Sequence, residues 1–413
     1  MQSSGRKDLQ DLHQLSRSPE LAYLRKQQRP LAPRRKTAGL APGDRTLAAL
    51  SPVHYVKWLA EYLVHRIGRR HPFQDYRDTG ADNGIYRLDN DEVRIAIAGD
   101  WASGTDEAHE IAQQIGKFAP HYTIHLGDVY FVGDRTEVGE NFLGINNEAN
   151  GFEPCSWPAG SHGSFALNGN HEMYALGYAY FDRMLPKLGL RVGDALQGQR
   201  ASFFCLENEY WRIIALDTAY ESIGLPILEY FSPPDCALPP ALITWLRDVV
   251  RLRDDDRRGI ILLSHHQYIS RFDHCFATPA RQLAPFLSRP VLWFWGHEHR
   301  LAVYEEASLP GGVTAYGRCI GHGGMPVELS PPTPRHPEHR AEFLDDRPYP
   351  NDENLKIGFN GFADLTLRRD QLAVDYVDIH GTVVFSEAWA ANNGTLRRLD
   401  ATAGRETAVE FPA

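Results

Sequence analysis

The run Val93-Arg-Ile-Ala-Ile-Ala98-Gly99-Asp100 reads as an apolar strand that stops abruptly on a glycine and a carboxylate. Four later runs stop in a similar way: Tyr122-Thr-Ile-His-Leu-Gly127-Asp128, Leu167-Asn-Gly-Asn170-His171-Glu172, Leu262-Leu-Ser-His265-His266 and Trp293-Phe-Trp-Gly-His297-Glu298-His299. A buried strand that ends in Asp, Asn or His projects a ligand-grade group at the lip of a sheet, where open α/β folds build their sites. One such ending is ordinary. Five in order, mixing carboxylates, a carboxamide and imidazoles, point to a binuclear metal centre.

Between these runs the pattern alternates. Asp106 to Phe118, Tyr174 to Leu188 and Pro240 to Leu252 read as helices, and Ser164–Leu167, Ala201–Leu206, Trp211–Leu216, Gly259–Leu263 and Pro290–Trp295 as strands. Apolar strands alternating with helices predict an α/β layered core over residues 92–304. After Tyr304, Phe359–Leu367, Gln371–Ile379 and Thr382–Glu387 alternate apolar and polar residues, so residues 305–413 are expected to be β-rich and to complete the same domain. Residues from about Ser330 to Asn354 are rich in Pro, His and charge and are expected to form a long surface loop.

Upstream, residues 1–50 are polar and basic and read as a flexible extension, with Arg34-Arg35-Lys36 before Pro and Gly. Ser51-Pro52 resembles a helix start, and Val56, Leu59, Leu63 and Ile67 recur at helical spacing. Residues 51–91 are therefore expected to be a helical segment packed on the core.

The 413 residues are 43% hydrophobic and 23% charged, which is ample for one large globular domain with appendages. A net charge of −10 argues against a nucleic-acid-binding surface. Five cysteines without CxxC spacing fit free thiols in a reducing, cytoplasmic compartment. No secretory h-region is expected at the start, and no apolar run approaches the ~20 residues that span a bilayer.

Taken in order, Gly-Asp100, Gly-Asp128-x-Tyr130, Gly-Asn170-His171-Glu172, His265 and Gly-His297-x-His299 resemble the calcineurin-like metallophosphoesterase superfamily over about half the chain. The resemblance implies a four-layer β-sandwich flanked by helices, with two metal ions (Fe, Mn or Zn) at the strand ends. It implies that Asp100, Asp128 and His299 hold one ion, and Asp128, Asn170, His265 and His297 the other. Much of the superfamily has Asp-x-His in the first motif, whereas this chain has Asp100-Trp101-Ala102, so the first site is one donor short. Gly-Asp-Trp is closer to the purple acid phosphatase branch, where a tyrosine three residues after the second Asp binds iron. Here that position is Phe131; Tyr130 stands one residue early and is the ligand if the register is shifted.

The resemblance implies hydrolysis of a small phosphomonoester or phosphodiester, with a bridging hydroxide attacking phosphorus in line and His171 as general acid. Glu172 is expected to fix the tautomer of His171 or to support the ligands, His125 is open between supporting the ligands and an ordinary place in its strand, and His266 is expected to lie behind the ligands or at the surface. The Gly-rich stretch Arg318-Cys-Ile-Gly-His322-Gly-Gly suggests substrate contacts from His322 and Arg318. Asp217 reads as structural. The competing reading is a non-catalytic scaffold of the same fold, which Ala102 favours.

Overall fold

Two sheets carry the chain in a computed structural model, which describes residues 68–77, 80, 82–130, 132–145, 154–223, 234–331, 333–350 and 357–404. The 1–50 extension and the helix read from Ser51 to Ile67 lie outside the described residues. Within the rest of the 51–91 segment, Ile85–Arg87 is a strand paired with Phe204–Glu207, where a helix had been expected.

The first sheet has nine strands. Its centre is the parallel set Val93–Ala98, Tyr122–His125 and Gly163–Ala166. On one side it grows through Gly361–Arg368, Gln371–Asp378, Val383–Asn392 and Thr395–Ala403, all antiparallel; the other side ends in the hairpin Gly189–Val192/Ala195–Gly198. Residues 361–403 thus extend the sheet that Val93–Ala98 belongs to, with Ala363 opposite Ile97, while Ile357–Gly358 pairs separately with Val327–Glu328. The second sheet has eight strands around the parallel set Trp211–Leu216, Gly259–Ser264, Val291–Trp295 and Thr314–Ile320.

Alternation along each strand decides which side chains meet. Ile95, Ile97, Ile124, Phe165, Leu365 and Val374 of the first sheet pack on Ile213, Ile261, Leu263, Leu292 and Phe294 of the second, in one dry layer. Helices cover the outer faces. Asp106–Phe118 begins at Thr105, whose side chain accepts from the Ala108 amide, and it buries Ala108, Ile111 and Ile115 outside the first sheet. Pro240–Trp245 and Ala277–Leu283 do the same for the second sheet. This is the calcineurin-like arrangement of two sheets between helical layers.

Three expected elements differ. The helix expected over Tyr174–Leu188 is broken into Asn170–Tyr174 and short turns at Tyr180–Met184 and Leu185–Lys187, because Leu176 (φ 61°) and Gly177 (φ 80°) turn the chain between them. The last hairpin is longer than the period-2 pattern implied, turning at Asn393-Gly394 into Thr395–Ala403. In the segment Ser330–Asn354, Ala341–Leu344 pairs as an edge strand with Leu301–Ser308.

One feature of the first sheet works against stability. Asp364 and Asp375 face each other directly across antiparallel strands, and both are buried. Burial, and then the Asp375 charge, push the Asp364 carboxyl up to about 7, against a smaller opposing effect of Arg94. The folded state therefore binds a proton that the unfolded chain releases near pH 4, and stability falls as pH rises from about 4 to about 7. Asp364→Asn should remove this dependence, raising stability at pH 8 by on the order of 1 kcal/mol and changing it little at pH 4. Urea melts at the two pH values measure it; an equal gain at both would show that charge is not the cause.

Candidate metal centre

In the parallel strands of both sheets, the chain leaves the C-terminal end at the same edge of the sandwich. Asp100, Asp128 and Asn170 follow three adjacent strands of the first sheet, and His265 and His297 follow two adjacent strands of the second. Glycine lets these strand ends approach closely, both between the sheets and within the first one. A Cβ on Gly296 would lie 2.5 Å from Asp100 Oδ2, and one on Gly169 would lie 2.0 Å from Asp128 Oδ1. Asp100 (φ 57°), Asp128 (φ 73°) and His297 (φ 64°) are themselves in the left-handed region, which non-glycine residues enter at a cost. Three such residues at adjoining strand ends mark a place where the fold holds side chains against backbone preference.

The side chains converge in two adjoining groups. In the first, the Tyr130 hydroxyl lies 2.8 Å from Asp100 Oδ1, 3.1 Å from Asp128 Oδ2 and 2.8 Å from His299 Nε2. In the second, Asn170 Oδ1 lies 3.1 Å from His265 Nε2 and 3.0 Å from His297 Nδ1, and Asp128 Oδ1 is 3.3 Å from His265 Nε2. Asp128 thus turns one oxygen to each group. Ala102, fully buried, offers no donor, but its carbonyl accepts from the Tyr130 amide at 3.0 Å and so fixes where Tyr130 starts. Phe131 lies outside the described residues.

Neighbours fix the orientation of these groups. His265 Nδ1 donates to the Leu126 carbonyl at 3.0 Å, which turns the Nε2 lone pair into the cluster. Asn170 Nδ2 donates to the Tyr174 hydroxyl at 2.9 Å and leaves its carbonyl oxygen inward. Glu172 Oε2 accepts from the Asp128 amide at 3.1 Å and the Gly169 amide at 2.8 Å, tying two of the turns together. The His297 amide donates to Asp100 Oδ2 at 2.7 Å, joining the sheets.

The donor set fits a cation. One hydroxyl proton cannot serve two carboxylates and an imidazole at once, and buried carboxylates need compensating charge. Burial raises the Asp128 carboxyl, but the charges of His171 and His265 outweigh this and hold it well below its ordinary value. Burial would push His265 down, yet Asp128 carries it up to about 9; burial and the His265 charge push His297 down to about 4. Without a metal ion, Asp128 and His265 compensate each other. With one, neutral imidazoles become ligands. Asp100, Asp128 and His265 form one group able to hold an ion, and His265, His266 and His297 another, among the described residues.

His171 sits at the same place. Its amide donates to Asp128 Oδ1 at 3.1 Å, its Nε2 is 3.7 Å from Asp128 Oδ2, and its ring lies 4.3 Å from that of Tyr130. His266, expected behind the ligands or at the surface, is buried, holds Thr218 through Nδ1 at 3.2 Å and tilts over the His297 ring at 4.6 Å. His125 is buried among Trp101, Phe142 and Trp157, its ring pushed down to about 3 by that burial. Asp217 caps the Ala219 and Tyr220 amides and takes a bond from Ser202.

One expectation needs correction. Arg318 cannot meet a substrate: it is fully buried between the sheets, bound to Glu387 at 2.7 Å through Nε and again through Nη2, and to the Tyr304 and Gly317 carbonyls. Burial opposes ionisation of Glu387, but Arg318 and Arg398 outweigh it and keep the carboxyl below its ordinary value. His322 is 2% exposed, no more buried than the clustered residues themselves, with its ring beside Gly361 of the first sheet. Glycines near a cation had suggested ligand contact; here they allow backbone to pack on backbone.

Over residues 93–301 the chain matches the sequence pattern of the calcineurin-like phosphoesterase family, and it belongs to that family. No curated protein matches it. Among solved structures it is similar to GAP50, described as the anchor in the inner membrane complex of Plasmodium, at 14% identity over 73% of this chain and 89% of that one, with a TM-score of 0.45. It is also similar to PhoD, at 12% identity over 77% of this chain and 73% of that one, with a TM-score of 0.44. A dimetal phosphatase from Danio rerio follows at 11% identity over 74% and 98%, with a TM-score of 0.35. Among the described residues, no helix is long and apolar enough to cross a membrane.

The placement of Arg318 makes a prediction. Arg318→Leu should cost about 3–5 kcal/mol in urea unfolding, because it leaves Glu387 buried without its main partner. The double change Arg318→Leu/Glu387→Leu should cost much less. If Arg318→Leu instead left stability intact, the structural role would be wrong.

Proposed function

We propose that the protein is a phosphoester hydrolase that works with two metal ions, as its family membership and the convergent donors support. The observation that carries this reading is the Tyr130 hydroxyl, which sits among Asp100, Asp128 and His299 where the first motif lacks its histidine. Asp100, Asp128, Tyr130 and His299 would hold one ion, and Asp128, Asn170, His265 and His297 the other. A phenolate and two carboxylates are hard oxygen donors that suit iron in the first half; the carboxamide and imidazoles of the second suit zinc, manganese or iron. This donor set resembles the purple acid phosphatase branch.

Ions held there would acidify water and draw charge from phosphoryl oxygens. The residues do the rest. Asp128, shared between the halves, fixes their spacing, and Glu172 holds the Asp128 and Gly169 turns in place. A water oxygen joins phosphorus, its proton passing to solvent, as the bond to the leaving oxygen breaks, and protonated His171 gives the leaving oxygen a proton. The substrate class is a small phosphomonoester or phosphodiester. Five free cysteines, four of them buried, are in keeping with a reducing, cytoplasmic setting.

The test starts from protein stripped with a chelator and reconstituted with iron and zinc. Hydrolysis of p-nitrophenyl phosphate and bis-p-nitrophenyl phosphate should be lost on stripping and return on reconstitution, and their ratio separates monoester from diester preference. His171→Asn should lower kcat by about 10²- to 10⁴-fold while both ions stay bound. Tyr130→Phe should release the first ion and abolish turnover. The near-complete burial of Asp100, Asp128, Tyr130 and His265 favours the scaffold reading. Two tightly held ions without turnover of either ester would establish that reading in place of this one.

A further inference from the structure

The first half-site is walled by a loop that lies beyond the residues shared with the family pattern. This loop, Gly321–Met325, runs between two supports. On one side it is bonded to the first strand end: the Gly323 amide donates to the Gly99 carbonyl at 3.0 Å and the Met325 amide to the Asp100 carbonyl at 3.1 Å. Ser103 Oγ adds a bond to the Gly324 carbonyl at 3.1 Å. Met325, fully buried, packs against Tyr130.

On the other side stands Asn360, just before the strand Gly361–Arg368 and 5% exposed. Its Nδ2 donates to the His322 carbonyl at 2.9 Å and to the Met325 carbonyl at 2.6 Å, so one carboxamide spans the loop. The Gly361 amide adds a bond to the His322 carbonyl at 2.9 Å, and the Asn360 carbonyl accepts from the Ile379 amide at 2.8 Å. Asn360 is therefore anchored to the hairpin behind it and grips the loop in front.

We infer that Asn360 is a positioning residue for the first half-site: through the Gly321–Met325 loop it holds Asp100 and Tyr130 where they can share a cation. This rests on the reading of Asp100, Asp128, Tyr130 and His299 as an ion site. Asp100 sits at φ 57°, a conformation that relaxes unless the surroundings hold it. Of the donors around it, the Met325 amide is the one that Asn360 controls. Tyr130 reaches the cluster along a side chain with two rotatable bonds, and Met325 packs against it. Nothing in Asn360 touches substrate; its effect passes through two backbone bonds.

The experiment compares full-length wild type with Asn360→Ala and Asn360→Asp, each reconstituted with iron and zinc. Aspartate keeps the size of the side chain but sets carboxylate oxygens against the two carbonyls, so both variants should fail in the same way. Metal per chain should fall from two toward one, and iron affinity should drop about ten- to a hundredfold, the usual cost of losing a group that orients ligands. Zinc retention by Asn170, His265 and His297 should stay near the wild-type level. The phenolate-to-iron absorption band should fade in parallel, and kcat should fall with little change in KM. Leu396→Ala, in the far edge strand, serves as a control for general destabilisation and should keep both ions. If Asn360→Ala does not fold, Asn360→Ser replaces it.

Two ions, an unchanged band and unchanged kcat in Asn360→Asp would overturn the inference and leave the phosphoesterase reading standing. Equal loss of iron and zinc would also overturn it, since the effect would then be general. Wild type that holds no ion would remove the reading and the inference together.

Discussion

Two carboxylates, Asp100 and Asp128, are buried where the C-terminal edges of the sheets meet, and the local structure is arranged around them. A carboxylate withdrawn from water needs positive charge and hydrogen bonds, or it protonates. Backbone amides supply some of this: the His297 amide to Asp100, the His171 amide to Asp128. They do not supply a full positive charge. The imidazoles can, but His265 and His297 stand within 3.3 Å of each other and cannot both be charged at neutral pH. The electrostatic account balances best when the imidazoles are neutral and metal cations fill the two groups.

The fold handles another buried charge in the opposite way. Between the sheets, Glu387 is closed off by Arg318, Arg398 and the Tyr376 hydroxyl. There the Glu387 oxygens are met by guanidinium and hydroxyl donors of the protein itself. The contrast separates a structural ion pair from a site more securely than composition does, since both involve buried acids and bases on strands. What distinguishes the candidate site is that oxygens and ring nitrogens converge on one another with fewer donors than acceptors. The left-handed backbone at Asp100, Asp128 and His297 adds the expense of keeping them so.

Much of this could be read from the chain. Strand endings in Asp, Asn and His at the five positions located the site, because a period-2 apolar run fixes both the strand and the edge from which its last residue projects. Helix limits were less legible, since Leu176-Gly177 breaks a pattern that still looks helical. Arg318 misled for a physical reason. Glycines beside a cation mean close approach of something, and sequence does not say whether that is a ligand or another stretch of backbone. The part played by Asn360 left no signal at all, because a lone Asn before a strand has many ordinary uses. It becomes meaningful once Gly361–Arg368 is seen to pair with the strand that ends at Asp100.

In the proposed site, Tyr130 stands in for the histidine that the first motif lacks. A metal centre is specified by donor atoms in space, not by their order along the chain. The turn after Tyr122–His125 needs Gly127 and Asp128 in left-handed conformations, and this swings the next residues back over the cluster. Because the Tyr130 amide is bonded to the Ala102 carbonyl, the tyrosine starts beside the residue that lacks a donor, and its long side chain reaches Asp100, Asp128 and His299.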